Sequence, residues 1–400
     1  MSISSALVDA LADAKVAAVR DLSTHYDINR ARCASITPTT IAPFAEALGR
    51  DARLRDVDDK WAFTPGGGGA RLTLATCAVY LIDRAIEVDP ALIISDLLRF
   101  AVDRTIVVRE VRSVEGLTVP HPIKLDAALA LVPASALKND GPAAQIFSDA
   151  NVPKHGYGSP PSAAIVRGEN FHVVLTEPPT GTLPPPMRAP QSLETERIFR
   201  DAMSAVVLAS TGAPHFRQSY SIVDSPGWPW MAAPGFGGSE PFPILVPASI
   251  TVDECRVVSA FKALRSFGND LGLAIGKLEA SRRRLRLDER MVDLGTALEI
   301  VLMHGAESSG EIINKVATRA AWLLGHSAEH RLNIFTISRD LYAERSKVVH
   351  SGQLKNVKNP AFPGDDCAYA AYDKLIADVI FAVAERGKWP EWSKLVLNAE

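Results

Sequence analysis

Hydrophobic positions recur with two different periods along this chain, and the change of period divides it. Near the N-terminus Leu7, Leu11, Ala14, Ala18 and Leu22 lie three or four residues apart in an alanine-rich run. That is the spacing of one helix face, and it predicts a helix from Ser5 to about Thr24. Residues 72–103 are apolar and read as two more helices, divided at Asp89-Pro90 because the residue before a proline is driven out of the α region. The pattern then shortens towards alternation. Arg104–Leu117 reads as a strand or hairpin and His215–Val223 as a strand. Ala163–Thr176 reads as two short strands about a turn at Gly168-Glu169-Asn170. Leu193, Ile198, Ala202, Val206 and Val207 predict an amphipathic helix over 193–209. Proline-rich stretches occupy 152–161 and 178–190. Residues 226–247, with six prolines and four glycines, read as an irregular segment closing this region.

From residue 250 onward the period is helical throughout. A long first helix is expected from Val252 to about Arg283, begun by Thr251 with Asp253 and Glu254 in its first turn. A second, over 287–304, carries the stripe Leu287, Met291, Leu294, Leu298 and Val301. A third, over 310–324, stops at Gly325. A fourth, over 332–350, carries Ile334, Ile337, Leu341 and Val348 and stops at Ser351-Gly352. A fifth runs from about Asp365 to Arg386. Helices of this length joined by short loops pack antiparallel. The expected fold is mainly α, with an α+β N-terminal region over 1–248 and a C-terminal antiparallel helix bundle over 249–400.

Composition narrows the partners. The 400 residues, 47% hydrophobic and 22% charged, belong to a globular chain of about two domains. Net charge is -3, and residues 251–400 hold 21 Lys+Arg against 20 Asp+Glu. That is no surplus for gripping duplex DNA, which is not expected as a partner. Cys33, Cys77, Cys255 and Cys367 are too far apart for a zinc ribbon or redox dithiol. Met1–Ala12 lacks a secretory pattern, and no apolar run reaches ~18 residues. A cytoplasmic protein with no membrane partner is the expectation. The basic cluster Arg282-Arg283-Arg284-Leu285-Arg286 reads as a solvated helix C-terminus complementing the dipole. The glycine run after Pro65 lacks the Gly-Lys-Ser/Thr of a phosphate loop, since Ala70-Arg71-Leu72 follows. His326-Ser327-Ala328-Glu329-His330 matches the H-x-x-E-H zinc pattern. Gly325 before it and Asn333 after it put it in an inter-helix loop, so no metal is expected.

The segment richest in chemistry is Leu341–Gly352, LYAERSKVVHSG, with Arg345, four residues, and His350. Metal-free cleavage of RNA needs a group that moves a proton near neutral pH and a cation that stabilises charge on phosphorus. Histidine supplies the first and the arginine fork the second. At a helix C-terminus the dipole favours protonated His350, which suits a general acid or a phosphate ligand. Residues five apart on a straight helix differ by ~140°. Arg345 and His350 therefore share no face unless the last turn unwinds at Ser351-Gly352, whereas Ser346 and His350 do. Glu299 is a carboxylate in an apolar stripe that needs a partner, with Arg345 and Arg319 the candidates.

Three features stand in order here: Leu294-Gly295-Thr296-Ala297-Leu298-Glu299, then Arg319-Ala320-Ala321-Trp322-Leu323-Leu324-Gly325, then the R-x4-H segment with Tyr342 before it and Ser351-Gly352 after it. With them, roughly residues 285–385 resemble the HEPN superfamily, specifically its Apea-like branch. The resemblance implies a HEPN-like bundle and a metal-independent endoribonuclease without cofactor, acting in stress or phage defence. It further implies a homodimer through the C-terminal bundle, in which the Arg and His of both copies line one cleft that takes RNA. On that reading Arg345 and His350 are catalytic, Ser346, Glu299 and Tyr342 support them, and Arg319 and Lys347 contact nucleic acid. Residues 1–248 then serve as a sensor or regulatory module. Ser346 stands where many active members carry Asn, Asp or His. The alternative it favours is a non-catalytic HEPN module that binds RNA or a nucleotide, or only dimerises.

Overall fold

A computed structural model describes residues 5–25, 32–63, 69–137, 162–177, 190–228, 235–236, 250–268, 271–305, 311–351 and 365–397. The glycines at 66–68, the proline-rich stretches 152–161 and 178–189, most of 226–247, and Gly352 lie outside the described residues. The N-terminal region is mixed α/β and the C-terminal region mostly helical.

The chain opens with α1 (Ser5–His25), α2 (Pro38–Arg50), the hairpin strands β1 (Lys60–Phe63) and β2 (Gly69–Leu72), α3 (Leu74–Ala85) and α4 (Pro90–Asp103). Helix α2 has no counterpart in the sequence reading, because Pro43 interrupts its pattern. It forms because Pro38 is tolerated in the first turn. Asp21 of α1 also puts a carboxylate at its N-terminus, accepting from the Thr37 amide at 2.9 Å and the Thr40 hydroxyl at 2.8 Å. Leu11, Phe44, Leu81, Ile93 and Phe100 make the core of this helical layer, together with Trp228.

The sheet follows. Strands β3 (Thr105–Glu115), β4 (Leu117–Thr118), β5 (Ile123–Lys124), β6 (Leu129–Pro133), β7 (Ala163–His172) and β8 (Leu175–Thr176) precede α5 (Pro190–Leu208) in the chain, and β9 (His215–Val223), β10 (Gly235–Phe236) and β11 (Ile250–Thr251) follow it. Among the described residues, six of the strands form an antiparallel sheet in the order β10-β9-β3-β7-β6-β5. The expected turn at Gly168-Glu169-Asn170 is absent: Gly168 pairs with Arg109, Glu169 with Val108 and Asn170 with Val107 inside one continuous strand. Pairing with β3 along the whole segment, and the Gly168 amide donating to the Ala128 carbonyl at 3.0 Å, outweigh the local turn signal. Strand β3 alternates as the sheet requires. Ile106 and Val108 enter the N-terminal helical core, while Val111 joins Val132, Ala164 and Ile222 in a separate small cluster.

The bundle comprises α6 (Glu254–Phe267), α7 (Gly272–Arg283), α8 (Leu287–Leu302), α9 (Ile312–Leu324), α10 (Ala328–Ser351), α11 (Asp365–Glu385) and the short α12 (Trp392–Val396). The expected long helix from Val252 is two helices. Gly268 ends α6 in the left-handed conformation at φ 71°, a cap that glycine adopts without strain. The cap at the start of α6 is Asp253, whose side chain accepts from the Arg256 amide at 3.0 Å, and Thr251 lies in β11.

One apolar cluster runs from Val114 and Ile165 of the sheet, through Phe199, Ala202 and Val206 of α5, into Leu278, Leu294, Leu298 and Ile380 of the bundle. Helix α5, which precedes residue 248, is thus packed as part of the bundle core. Two arginines tie its last turn down. Arg256 donates to the Leu208 carbonyl at 2.9 Å and to Asp378 at 2.6 Å. Arg282 donates to the carbonyls of Val207 and Gly212 and, bidentately at 2.8 Å, to Asp373. The Arg282 side chain is 2% exposed, so this residue is not the solvated one its run of basic neighbours suggested. Those neighbours are paired: Arg283 with Glu279, Arg284 with Asp293, Arg286 with Asp288. Among the described residues no helix is long and apolar enough to cross a membrane.

Candidate functional site

Helices α8 and α10 pack against each other, and their contact sets the position of Arg345. The stripe Met291, Leu294, Leu298 and Val301 buries α8 in the core. Gly295 lies against α10, and a Cβ there would fall 2.7 Å from the Arg345 Cβ and 2.6 Å from its Cγ. Only a residue without a side chain lets the aliphatic stem of Arg345 lie flat on α8. One turn further, Glu299 receives the arginine: Nη2 is 3.2 Å from Oε2. Tyr342, three residues before Arg345 and hence on the same side of α10, donates its hydroxyl to the same Glu299 oxygen at 3.3 Å. The Arg345 guanidinium carbon is 5.4 Å from the centre of the Tyr342 ring. Burial, with the Glu299 charge alongside, raises the Tyr342 phenol above its usual value, so it stays protonated as a donor.

This cluster meets one expectation directly: Glu299 has Arg345 as its partner. The pair is a quarter to a third exposed, at 25% and 30%, so it adds little to stability. It holds the guanidinium in place without using it up. Arg345 Nε is buried without a hydrogen-bond partner, and Nη2 meets one carboxylate oxygen. An arginine has five N–H donors, and those left over can meet an anionic oxygen.

His350 points elsewhere. Helix α10 stays regular through Ser351, whose hydroxyl donates to the Lys347 carbonyl at 2.7 Å. The ~140° between residues five apart therefore persists. Arg345 turns inward to α8 and His350 is exposed, with no polar partner among the described residues. Ser346 is half-buried, one turn before His350. Lys347 is exposed and pairs with Glu344 at 2.6 Å; the other oxygen of Glu344 is buried without a partner. A single chain therefore displays the arginine and the histidine on different faces.

Arg319, expected to contact nucleic acid, makes contacts within its own chain. Its guanidinium donates to the Leu302 carbonyl at the end of α8 and lies 5.1 Å from the centre of the Trp392 ring. The last carbonyls of a helix need donors, and Arg319 supplies one. Burial lowers its pKa from the usual arginine value.

The H-x-x-E-H segment is also placed differently from the expected loop. The Ser327 hydroxyl accepts from the His330 amide at 3.1 Å in the manner of an N-cap, so Glu329 and His330 form the first turn of α10. His326 and His330 meet Nδ1 to Nδ1 at 2.8 Å. Among the described residues no group of three or more His, Cys, Asp or Glu is arranged to hold a metal ion.

Sequence reasoning included Gly295 only as part of a motif. Its function as the bed for Arg345 could have been found from its position, four residues before Glu299 on the same helix face. Comparison of the chain with protein-family models, with curated proteins and with solved structures gave no match in any of the three.

Proposed function

We propose that the C-terminal bundle is a HEPN-type, metal-independent endoribonuclease whose cleft is built by two copies of the chain. The observation that carries this reading is the Gly295–Glu299–Tyr342–Arg345 cluster, which holds one guanidinium with donors to spare beside the helix end that bears His350. The divergence of Arg345 and His350 favours a composite cleft, because a second bundle related by two-fold symmetry supplies the missing partner from its own helix. In such a cleft the RNA 2′-hydroxyl gives up its proton to water as it attacks its own 3′-phosphate and displaces the 5′-oxygen. Arg345 stabilises the charge that develops on the phosphoryl oxygens, and His350 delivers a proton to the departing 5′-oxygen. The products are a 2′,3′-cyclic phosphate and a 5′-hydroxyl. Lys347, exposed on the last turns of α10, adds positive charge for the RNA backbone. On the HEPN reading, cleavage serves stress or phage defence.

The second reading is a non-catalytic HEPN module that binds RNA or dimerises. It is favoured by Ser346 in the motif and by His350 having no partner among the described residues to orient it.

The test is cleavage of total RNA in EDTA by wild type, Arg345→Ala and His350→Ala, with the fragment ends identified. Cleavage by wild type that leaves 2′,3′-cyclic phosphate and is lost in both variants supports the nuclease. Absence of cleavage by a folded, dimeric wild type supports the second reading. Cleavage that survives both substitutions overturns the assignment of these residues.

A further inference from the structure

Helices α5 and α7 leave a cavity of about 540 Å³ between them, closed at one side by β3 and β9. It continues into a second space of about 280 Å³ that shares Arg197, Arg200, Ser204, Gly272 and Ile275 with it. Together they are of the size that takes a small organic ligand. The lining of the larger part is basic: Arg112, Arg197, Arg200 and Arg283 against Glu196 and Glu279. Arg112 pairs with Glu196 and Arg283 with Glu279. Arg197 reaches Asp201 only at 3.9 Å, and that carboxylate is already held by Arg265 at 3.1 Å. Arg200 is exposed and has no partner among the described residues.

Two further donors are buried and unused. His215 is 4% exposed. Its Nε2 edge faces Glu115 at 3.4 Å, and its Nδ1 has no partner. Arg112, held flat with its guanidinium carbon 4.3 Å from the centre of the Phe199 ring, leaves its Nε without a partner as well. A buried polar atom left unpaired costs free energy, so two of them at one basic cavity point to a ligand that supplies acceptors. Nδ1 donates to an anion in either the imidazolium or the Nδ1–H tautomer. Helix α7 begins at this cavity without a side-chain cap, and its dipole adds positive potential. Met203, Val207 and Ile275 give the same space an apolar wall.

We propose that this cavity binds a phosphomonoester of nucleotide size, with its phosphate oxygens on Arg200, Arg112 Nε and His215 Nδ1 and its remaining body against Met203 and Ile275. The site lies outside the Arg345 cluster and does not depend on the nuclease reading. It joins α5 to the bundle, so a ligand there bridges the two regions of the chain.

The test is isothermal titration of the full-length protein with AMP, adenosine and inorganic phosphate at constant ionic strength. Saturable binding of AMP is expected, with phosphate weaker and adenosine at least tenfold weaker. Arg200→Ala should weaken AMP by about tenfold or more, the loss expected for charge-assisted hydrogen bonds, and should leave the melting temperature unchanged. His215→Gln should weaken it too. Arg200→Ala alone decides the matter if the buried substitution impairs folding. Arg50→Ala, on the exposed face of α2, should bind AMP as wild type does. No saturable binding of either AMP or phosphate, or AMP binding unaltered by Arg200→Ala, overturns the proposal.

Discussion

Replacing Gly295 by alanine tests the packing that positions Arg345. The added Cβ would lie 2.6 Å from Arg345 Cγ and 2.7 Å from its Cβ. The second of these atoms is fixed to the α10 backbone and cannot swing away, so the helices must part or the arginine must leave Glu299. Overpacking of this kind costs about 1–3 kcal/mol. Alanine for glycine within a helix returns about 1 kcal/mol, so the net loss is about 0–2 kcal/mol. Gly276 of α7 isolates the second contribution. A Cβ there meets nothing within 4 Å, so Gly276→Ala should stabilise by about 0.5–1 kcal/mol. Urea unfolding of the two variants should therefore differ by about 1–3 kcal/mol, the steric cost alone. On the nuclease reading, Gly295→Ala should also lower RNA cleavage by up to ~100-fold, because a misplacement of about 1 Å at a catalytic group carries a penalty of that order. Two variants of equal stability would refute the claim that Arg345 is packed on Gly295. A destabilised Gly295→Ala that cleaves RNA as well as wild type would refute the claim that this packing serves the site.

Three other predictions concern the fold. Arg282→Met leaves Asp373 buried without its cation and the Val207 and Gly212 carbonyls without their donor. Denaturant unfolding should show a loss of about 3–5 kcal/mol, and a loss under 1 kcal/mol would contradict the clamp. Burial pushes the Cys77 thiol up to about 12, while Cys255 is exposed. Iodoacetamide should label Cys255 in the native protein and Cys77 only on unfolding, and rapid native labelling of Cys77 would contradict its burial. The Glu115 carboxyl feels burial, which works to raise it, but the contacts of His215 and Arg217 outweigh that and hold it below the usual carboxylate range. Its stabilising contribution is therefore complete above the unfolded value near ~4.3 and is lost as pH falls through the lower folded value. The stability gap between wild type and Glu115→Gln should shrink between pH 5 and pH 3, and a gap that does not change with pH would contradict the assignment.

Periodic elements with clean ends were legible in the sequence. The stripe of Leu294, Leu298 and Val301, the stop at Gly325 and the break at Asp89-Pro90 depend on local chemistry alone. Elements decided by distant partners were not. Gly168 lies mid-strand because it pairs with Arg109 of β3 and its amide donates to the Ala128 carbonyl beside β6, and Pro43 hides a helix whose N-terminus is held by Asp21, which is remote in sequence. The same division holds at the site. The Glu299–Arg345 pairing followed from a carboxylate in an apolar stripe. The roles of Arg319 and Arg282 followed from carbonyls at helix ends that only the tertiary fold brings near. Charge runs mislead for the same reason, since each basic residue from Arg282 to Arg286 has an acid or a carbonyl waiting for it.

On the proposed HEPN reading, one chain carries half of a cleft. The most direct test of that reading is RNA cleavage per chain in EDTA, measured against protein concentration alongside the dimer fraction from sedimentation. Activity per chain should fall with the dimer fraction on dilution and vanish in the monomer. Activity per chain that stays constant while the dimer dissociates would contradict it.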